Sequence, residues 1–307
     1  MSSSCSVLNS RLETVYREQI AEVESTVDET PGFGEPEHMS NQTRIGFLGC
    51  GNMGGAILEG MLAEKLYQPS EVLVCEHSVQ RRTLWAQKGV GTTAEAEELS
   101  GLETVVLAVK PQSFSEAVRG LGALEHSTLI ISVMAGITSN QIAEALGPKA
   151  RVVRVMPNTP CGIGMGISAM ASGVGSGPDE LEETSRLMST VGAVVSVEED
   201  AMHAVTATSG SGPAYLFFLA EAWIEASIKA GLDPEIAKKL VIETIQGSAA
   251  LLKQHGDPES LRKMVTSRGG TTAAGIQELE ERGVRSAMHD AVVAARDRHV
   301  ELGREGG

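Results

Sequence analysis

Residues 45–54 read Ile-Gly-Phe-Leu-Gly-Cys-Gly-Asn-Met-Gly, and this segment sets the architecture expected of the whole chain. Four residues typical of a buried strand lead into a Gly-x-Gly-x-x-Gly turn, and a helical pattern begins at Met53. The first glycine makes the tight turn, the second lets the backbone approach a pyrophosphate, and the third lets the helix pack on the strand. Free N–H groups at the helix N-terminus favour an anion. The segment therefore predicts a dinucleotide site that is formed by Gly49, Cys50, Gly51, Asn52, Met53 and Gly54.

Short β-rich runs alternate with helical patterns on the C-terminal side of this turn. The alternation predicts βαβ units, and hence an α/β fold with a Rossmann-like, mostly parallel sheet that is covered by helices on both faces. Strands are expected at 44–48, 71–75, 104–109, 128–133 and 151–156, and helices at 53–65, 79–88, 112–120 and 139–146. Two further apolar runs, 167–171 and 193–197, flank a helical pattern over 179–191 and are expected to extend the sheet.

The pattern changes near residue 200. Beyond it the chain is predicted to be helical, with breaks at turn signals in 210–213, 231–234, 256–258 and 269–270. Residues 1–43 differ again, because they hold eight acidic against two basic residues and no sustained apolar period. That composition is typical of a disordered or loosely helical extension. The predicted domains are an acidic, disordered extension at 1–43, a dinucleotide-binding domain at 44–199 and a helical domain at 200–307.

Composition and charge exclude several classes of function. The 307 residues carry 25 Lys and Arg against 40 Asp and Glu, a net charge of −15 that would repel nucleic acid and anionic lipid. No apolar run is long enough to span a membrane. The four cysteines form no Cys-x-x-Cys pair, and no histidine lies at zinc-ligand spacing. We therefore expect a soluble cytoplasmic protein with reduced thiols and no metal.

The ends of other predicted strands are candidates for cofactor contact, because the carboxyl ends of strands line the ligand crevice of an open parallel sheet. Glu76 follows the second predicted strand, where a carboxylate suits the 2′-hydroxyl of NADH and repels the 2′-phosphate of NADPH. Arg81 and Arg82 could accept that phosphate, and a solvated strand end would explain Glu76 equally well. Further cofactor contacts are predicted at Ala108, Val109, Lys110, Pro111 and Ala135, with Pro111 beginning the next helix.

The helical half contains two distinctive segments. Residues 265–272 read Val-Thr-Ser-Arg-Gly-Gly-Thr-Thr, which indicates a helix N-terminus whose hydroxyl and N–H groups suit a carboxylate. Plain helix capping explains the same residues. Residues 204–215 read Ala-Val-Thr-Ala-Thr-Ser-Gly-Ser-Gly-Pro-Ala-Tyr and predict a break between two helices, where small side chains allow close packing.

Together these segments resemble the pyrroline-5-carboxylate reductase family. The resemblance rests on 45–54, 204–215 and 265–272, with Ala-Val-Lys-Pro at 108–111 and Arg-Val-Met-Pro-Asn-Thr-Pro at 154–160. It covers about residues 44–302, and 204–215 and 265–272 are specific to the family. It implies reduction of the cyclic imine 1-pyrroline-5-carboxylate to L-proline by NADH or NADPH, the last step of proline biosynthesis. It also implies that the helical domain binds substrate and dimerises with a second copy, often with further assembly.

The resemblance also implies roles for individual residues. The hydroxyl of Thr272 is expected to orient and polarise the imine nitrogen while hydride passes to C5, without a metal. N–H groups at the start of the same helix would hold the substrate carboxylate, and Asn158 and Thr159 would lie where nicotinamide meets substrate. The substrate contacts implied in this way are Glu199, Val265, Ser267, Gly270, Thr271 and Thr272.

The sequence departs from the family pattern at two places, and other functions stay open. Arg268 replaces the family's usual proline, which leaves the rigidity of that loop unsettled, and residues 1–43 have no counterpart. Both departures motivate a catalytically silent nucleotide-sensing homologue as an alternative. A β-hydroxyacid type of dehydrogenase is a second alternative, but it needs a catalytic lysine on the long interdomain helix. The lysine of helix 213–230 is Lys229, at its far end.

Overall fold

The computed structural model describes residues 43–305, and these residues form a sheet of eight strands in the order β3-β2-β1-β4-β5-β6-β7-β8. All neighbouring strands are parallel except β6 and β7. The predicted extension 1–43 lies almost entirely outside the described residues. The strands are β1 (Ile45–Leu48), β2 (Val72–Cys75), β3 (Gly91–Thr93), β4 (Thr104–Leu107), β5 (Thr128–Ser132), β6 (Ala150–Met156), β7 (Gly166–Ser172) and β8 (Gly192–Ser196).

Helices cover both faces of this sheet. Side chains alternate along each strand, so apolar strand residues are buried on both faces. On β1, Ile45 and Phe47 are buried on one face and Leu48 on the other. The first face packs against α1 (Asn52–Ala63), α2 (Val79–Gln87) and α5 (Pro178–Met188), and the second against α3 (Phe114–Leu121) and α4 (Ser139–Leu146). The prediction of a Rossmann-like, mostly parallel α/β sheet is confirmed.

Two details of the sheet differ from the prediction. Strand β3 was not expected, because Gly91-Thr92-Thr93 contains no large apolar side chain and its strand character comes from backbone pairing with β2. The strand predicted over 104–109 ends at Leu107. The chain then forms a 3₁₀ turn, Pro111–Ser113, with the proline at its start, before α3 begins.

The part of the described chain that follows β8 is helical. It comprises a 3₁₀ turn at Glu199–Ala201, α6 (Met202–Val205), a π-helical segment (Thr206–Gly210), α7 (Gly212–Lys229), α8 (Pro234–His255), α9 (Pro258–Met264), α10 (Thr271–Glu281) and α11 (Val284–Glu305). Asp233 and Asp257 cap α8 and α9 by accepting first-turn N–H groups, so the breaks predicted before these helices are confirmed. The break predicted at 210–213 falls at Ser211, which separates the π-helical segment from α7 and is the N-cap residue of α7. Ser211 keeps helical dihedral angles, so the chain changes direction little there.

Helices α7 and α8 leave a large apolar surface uncovered. Phe218 is 69% exposed and Phe217 54% exposed on α7, and Ile236 is 53% exposed on α8. Apolar patches of this kind are typical of protein interaction surfaces. One chain therefore does not bury its own helical part. Within residues 43–305, no helix combines the length and the apolar character that a membrane span requires.

Candidate active site

The Gly-rich turn after β1 is built so closely that two of its glycines, Gly49 and Gly54, cannot carry a side chain. Gly49 has a φ of +84°, and a Cβ on it would lie 2.7 Å from Cγ1 of Val109. A Cβ on Gly54 would lie 2.8 Å from the carbonyl oxygen of Gly49 and 3.0 Å from Cβ of Ala108. The turn is thus pressed against the end of β4, as a backbone cradle for a pyrophosphate requires.

The N-terminus of helix α1 lies at this cradle and is not capped by a side chain of the described chain. Gly51 is the N-cap residue. The N–H groups of its first turn have no intrahelical acceptor and carry the positive end of the helix dipole. The predicted residues Gly49 to Gly54 therefore form one surface with the shape and polarity that a bound dinucleotide phosphate needs.

Glu76 lies next to the cradle, and both of its carboxylate oxygens have protein partners. Oε2 accepts the N–H of Cys50 at 3.1 Å, and Oε1 accepts the N–H of Ser78 at 3.1 Å. The side chain is 11% exposed and pairs with Nη1 of Arg81 at 3.6 Å. Arg82 folds back as well, donating to the carbonyls of Glu76 and His77. A carboxylate and two guanidinium groups therefore meet at the strand end that the sequence assigned to the ribose.

The other predicted cofactor residues lie along the same edge of the sheet. The N–H of Ala108 donates to the carbonyl of Leu48 at 2.9 Å, which places Ala108 and Val109 beneath the Gly-rich turn. Lys110 precedes the 3₁₀ turn that Pro111 begins. Ala135 follows β5 and is joined to Gly136, whose φ of +80° reverses the chain there.

Asn158 shapes the edge beyond β6. Its side-chain Oδ1 accepts the N–H of Ile167 at 2.9 Å, and the residue is 9% exposed. The 3₁₀ turn Thr159–Ile163 that follows packs on α1. The Asn158 side chain thus ties the start of β7 to this edge.

Glu199 is held in a polar cluster. Its carboxylate accepts both the backbone N–H and the hydroxyl of Ser139, and it pairs with Nη1 of the buried Arg154 at 3.1 Å. Burial by itself would raise the pKa of Glu199. The hydrogen bonds from Ser139 and the charge of Arg154 outweigh burial, and the pKa is lowered. The carboxylate therefore stays ionised, and it joins the start of α4, β6 and the first turn of the helical part.

The segment 265–272 lies apart from the cradle in the single chain. Gly270 is the N-cap residue of α10, and no side chain within the described residues caps that helix. The N–H of Gly270 donates to the carbonyl of Ser267 at 3.1 Å, and Val265 is 61% exposed. No hydrogen bond or ion pair of residues 43–305 joins this segment to the sheet edge. One chain therefore does not bring Thr271 and Thr272 to the predicted cofactor residues.

Sequence reasoning missed four polar residues behind this edge, three of them buried and one, His203, partly buried. Arg154 stands in the apolar run of β6, and Ser139, His203 and His299 gave no spacing signal. The arginine at position 154, between buried valines, was the one available sign, since a buried guanidinium needs a carboxylate partner. No set of three or more His, Cys, Asp or Glu within residues 43–305 could hold a metal.

A glycine cradle and an open helix N-terminus at the carboxyl edge of a parallel sheet are the features with which such sheets bind dinucleotides. The family described as "NADP oxidoreductase coenzyme F420-dependent" matches residues 44–136, and "Pyrroline-5-carboxylate reductase dimerisation" matches residues 199–302. The chain is an NAD(P)-dependent oxidoreductase.

Similar proteins agree with this class and narrow it. The pyrroline-5-carboxylate reductase of Synechocystis sp. is 39% identical, over 85% of this chain and 99% of that protein. The enzyme of Arabidopsis thaliana is 37% identical, over 84% and 95%. Among solved structures, the Coxiella burnetii reductase is 34% identical with a TM-score of 0.79, covering 85% of this chain and 99% of that one. The Plasmodium falciparum pyrroline carboxylate reductase with NADP bound is 29% identical with a TM-score of 0.77, covering 87% and 100%. The chain belongs to the pyrroline-5-carboxylate reductase family, and the predicted resemblance is confirmed.

Proposed function

We propose that this chain reduces the C=N bond of 1-pyrroline-5-carboxylate to give L-proline, with NADH or NADPH as hydride donor. The observation that carries the proposal is the closed glycine cradle at 49–54, found in a chain whose residues 199–302 match the dimerisation region of this family. A β-hydroxyacid type of dehydrogenase is less well supported, because Lys229 is the last residue of α7.

The cofactor half of the site is the edge of the sheet. The cradle and the first turn of α1 would hold the pyrophosphate. Bulkier residues in place of Gly49 or Gly54 would collide with the surrounding protein atoms. A side chain that capped α1 would occupy the N–H groups that the phosphate needs. Residues 108–111 and Ala135 border the same edge and would line the nicotinamide ribose. The bound nicotinamide supplies the hydride.

The substrate half of the site is the uncapped start of α10. The N–H groups of Gly270, Thr271 and Thr272 would hold the substrate carboxylate, which gains from the positive end of the helix. The hydroxyl of Thr272 would donate to the imine nitrogen, so that charge building up there in the transition state is stabilised. Val265 and Ser267 would line the ring. Glu199 would act on the substrate indirectly, through the residues at the edge of the sheet, because its carboxylate already binds Ser139 and Arg154.

A second copy of the chain would bring these halves together. Thr272 has no contact with the cradle in one chain, and α7 and α8 expose aromatic and aliphatic side chains that a partner would cover. Two chains related by a two-fold axis could each offer a cradle to the other's α10. The helical part, 200–307, would then be both the dimerisation and the substrate domain, and 44–199 the dinucleotide-binding domain.

The test is spectrophotometric. Purified protein is mixed with 1-pyrroline-5-carboxylate and either NADH or NADPH, and the fall in reduced cofactor and the formation of proline are followed. We expect turnover with both cofactors. Cofactor binding without turnover would instead favour the nucleotide-sensing alternative.

The proposed location of the protein is the cytoplasm, which the buried free thiols of Cys50, Cys75 and Cys161 favour. Fluorescence microscopy of the tagged protein would test this location.

A further inference from the structure

A buried polar relay joins the C-terminal helix α11 to the π-helical segment Thr206–Gly210. His299 on α11 is 4% exposed, and its Nδ1 lies 2.8 Å from Nδ1 of His203 on α6. Its other ring nitrogen, Nε2, lies 3.3 Å from Oγ1 of Thr206. The two imidazole rings meet edge to face, with centroids 5.0 Å apart. None of these three residues has a part in the mechanism above.

The contact between Thr206 and the Met202 carbonyl favours one arrangement of protons. The hydroxyl of Thr206 lies 2.9 Å from the carbonyl oxygen of Met202 and has one hydrogen, which it donates there. Thr206 must then accept from His299, so His299 carries its proton on Nε2. Its Nδ1 is therefore an acceptor, and the hydrogen between the two rings belongs to His203. The relay runs in one direction, from His203 through His299 and Thr206 to the carbonyl of Met202.

This relay lies beside the edge that carries the site. A Cβ on Gly210, at the end of the π-helical segment, would lie 2.7 Å from Cε of Met156, the last residue of β6. One turn beyond His299, Gly303 packs on Gly136, because a Cβ on Gly303 would lie 3.2 Å from the Gly136 carbonyl oxygen. Asn158 follows Met156 by two residues. A shift of the segment would therefore move the edge on which nicotinamide and substrate meet.

The surroundings keep His299 neutral, as the relay requires. Burial, His203 on α6 and the guanidinium of Arg154 on β6 together lower the pKa of His299 to about 4. Glu199 is the carboxylate that pairs with Arg154, and its oxygens accept hydrogen bonds from Arg154 and Ser139. A charged His299 would carry N–H groups on both nitrogens and would point one of them at the N–H of His203.

We propose that His299, acting through Thr206 and His203, is a positioning residue that holds the π-helical segment against the ends of β5 and β6. In this way the relay fixes the edge that carries Gly136 and Asn158, on which nicotinamide and substrate would meet. The catalytic consequence rests on the proposed function, whereas the structural consequence does not.

The decisive variant is Thr206→Val, which keeps the shape of the side chain and removes the hydroxyl. We expect faster amide hydrogen exchange in peptides that cover 154–160 and 204–212. We also expect kcat to fall about fivefold to tenfold, the effect of one lost hydrogen bond, with an unchanged Kd for the cofactor. Thr206→Ser, which restores the hydroxyl, should recover both properties. Thr83→Val is the matched control, because Thr83 makes the same hydroxyl bond to the carbonyl four residues before it, on exposed α2.

Nuclear magnetic resonance of protein labelled with ¹⁵N-histidine tests the direction of the relay. We expect one buried imidazole, assigned to His299 by its loss in His299→Asn, to be protonated at Nε2 and not to titrate between about pH 5 and 8. Protonation at Nδ1 instead would overturn the relay. So would unchanged hydrogen exchange in Thr206→Val, or a Thr206→Ser variant as impaired as Thr206→Val. If the wild-type protein shows no turnover, the proposed function fails, and hydrogen exchange and the imidazole signals still decide the relay.

Discussion

Two carboxylates that the sequence assigned to ligands also anchor the protein's own backbone. Glu76 accepts N–H groups of the Gly-rich turn and of the start of α2, and Glu199 accepts the first N–H of α4. Each also pairs with an arginine, Arg81 or Arg154. Charge-assisted hydrogen bonds of this kind fix a side chain more firmly than neutral ones do. Sequence position located both residues, and Ser78 and Arg81 lie close to Glu76 in the chain. Cys50, Arg154 and Ser139 are 26 to 60 residues from the carboxylates they bind, which no local pattern reveals.

Thr272 carries the first prediction. Thr272→Ala should lower kcat strongly and leave the Kd of the cofactor unchanged, because the hydroxyl is proposed to act on the imine nitrogen alone. The lost hydrogen bond to a partly charged group is worth about 1.5 to 3 kcal/mol, or roughly tenfold to a hundredfold in rate. Steady-state kinetics and cofactor titration measure the two effects. Thr272→Ser, which keeps a hydroxyl, should retain most of the rate, and a wild-type kcat in the alanine variant would contradict the role.

Glu76 carries the second prediction, on the choice of cofactor. A carboxylate that faces the 2′-phosphate of NADPH is repelled by about 1 kcal/mol per pair of unit charges in water at 4 Å. We therefore expect the wild type to use NADH at least as well as NADPH, and Glu76→Ser to shift the ratio of kcat/KM towards NADPH, since Arg81 loses its partner. Glu59→Ser on the exposed side of α1 is the control, since Glu59 pairs with Lys88. A tenfold preference of the wild type for NADPH would show that Glu76 does not face the ribose.

At the scale of elements, predictability followed the burial of apolar side chains. Strands β1 and β5 are buried throughout, β6 is apolar apart from Arg151 and Arg154, and the positions of all three were predicted to within one residue. Strand β3 and the π-helical segment were missed for opposite reasons. The first is held by backbone pairing alone, and the second is held by contacts with α11, about 90 residues later in the chain. The Gly-Ser-Gly-Pro sequence at 210–213 predicted where the segment ends, but not its π-helical form.

The start of α1 gives the third prediction through two adjacent glycines. Gly54→Ala should weaken binding of NADH and NADPH at least tenfold, because its Cβ would meet the Gly49 carbonyl oxygen at 2.8 Å and force the cradle open. Gly55→Ala is the matched control, since its Cβ would meet Trp85 at an ordinary 3.5 Å. Fluorescence titration measures both affinities. Equal affinities of the two variants would show that the close approach of turn and strand does not govern binding.

Helix α11 gives the fourth prediction, on stability against acid. The pKa of His299 is about 4 in the folded chain, below the ordinary value of 6.5. Between these values the unfolded chain binds a proton that the folded chain does not. This group's contribution is therefore complete above about pH 6.5, and stability falls by up to about 1.4 kcal/mol per pH unit as the pH drops towards 4.

Thermal unfolding at a series of pH values tests this slope. His299→Asn should be less stable than the wild type at neutral pH, and the difference in Tm should shrink as the pH falls from about 6.5 to about 4. His289→Asn removes an exposed histidine of the same helix and should leave the slope unchanged. A constant difference in Tm over this range would mean that His299 is not kept neutral by the fold.

At the scale of the whole molecule, the described chain separates the two halves of the proposed site. The cradle lies on the sheet, the start of α10 lies among the helices, and the apolar faces of α7 and α8 are uncovered. Sequence motifs predicted each half, but they could not reveal whether one chain or two would join them. Spacing along a chain carries no information on contacts between copies.

The fifth prediction tests whether two chains form each site. Gly54→Ala weakens cofactor binding and Thr272→Ala lowers kcat, so at cofactor concentrations below the wild-type Kd each variant alone should keep about a tenth of the wild-type activity or less. If each site combines the cradle of one chain with the α10 of the other, a hybrid dimer has one doubly damaged site and one intact site. Random pairing of equal amounts makes half of the dimers hybrid, so mixing should restore about a quarter of wild-type activity. Each variant taken through the same subunit exchange alone provides the baseline. Activity that stays at this baseline, with hybrid dimers confirmed by mass spectrometry, would mean that each chain builds its site by itself.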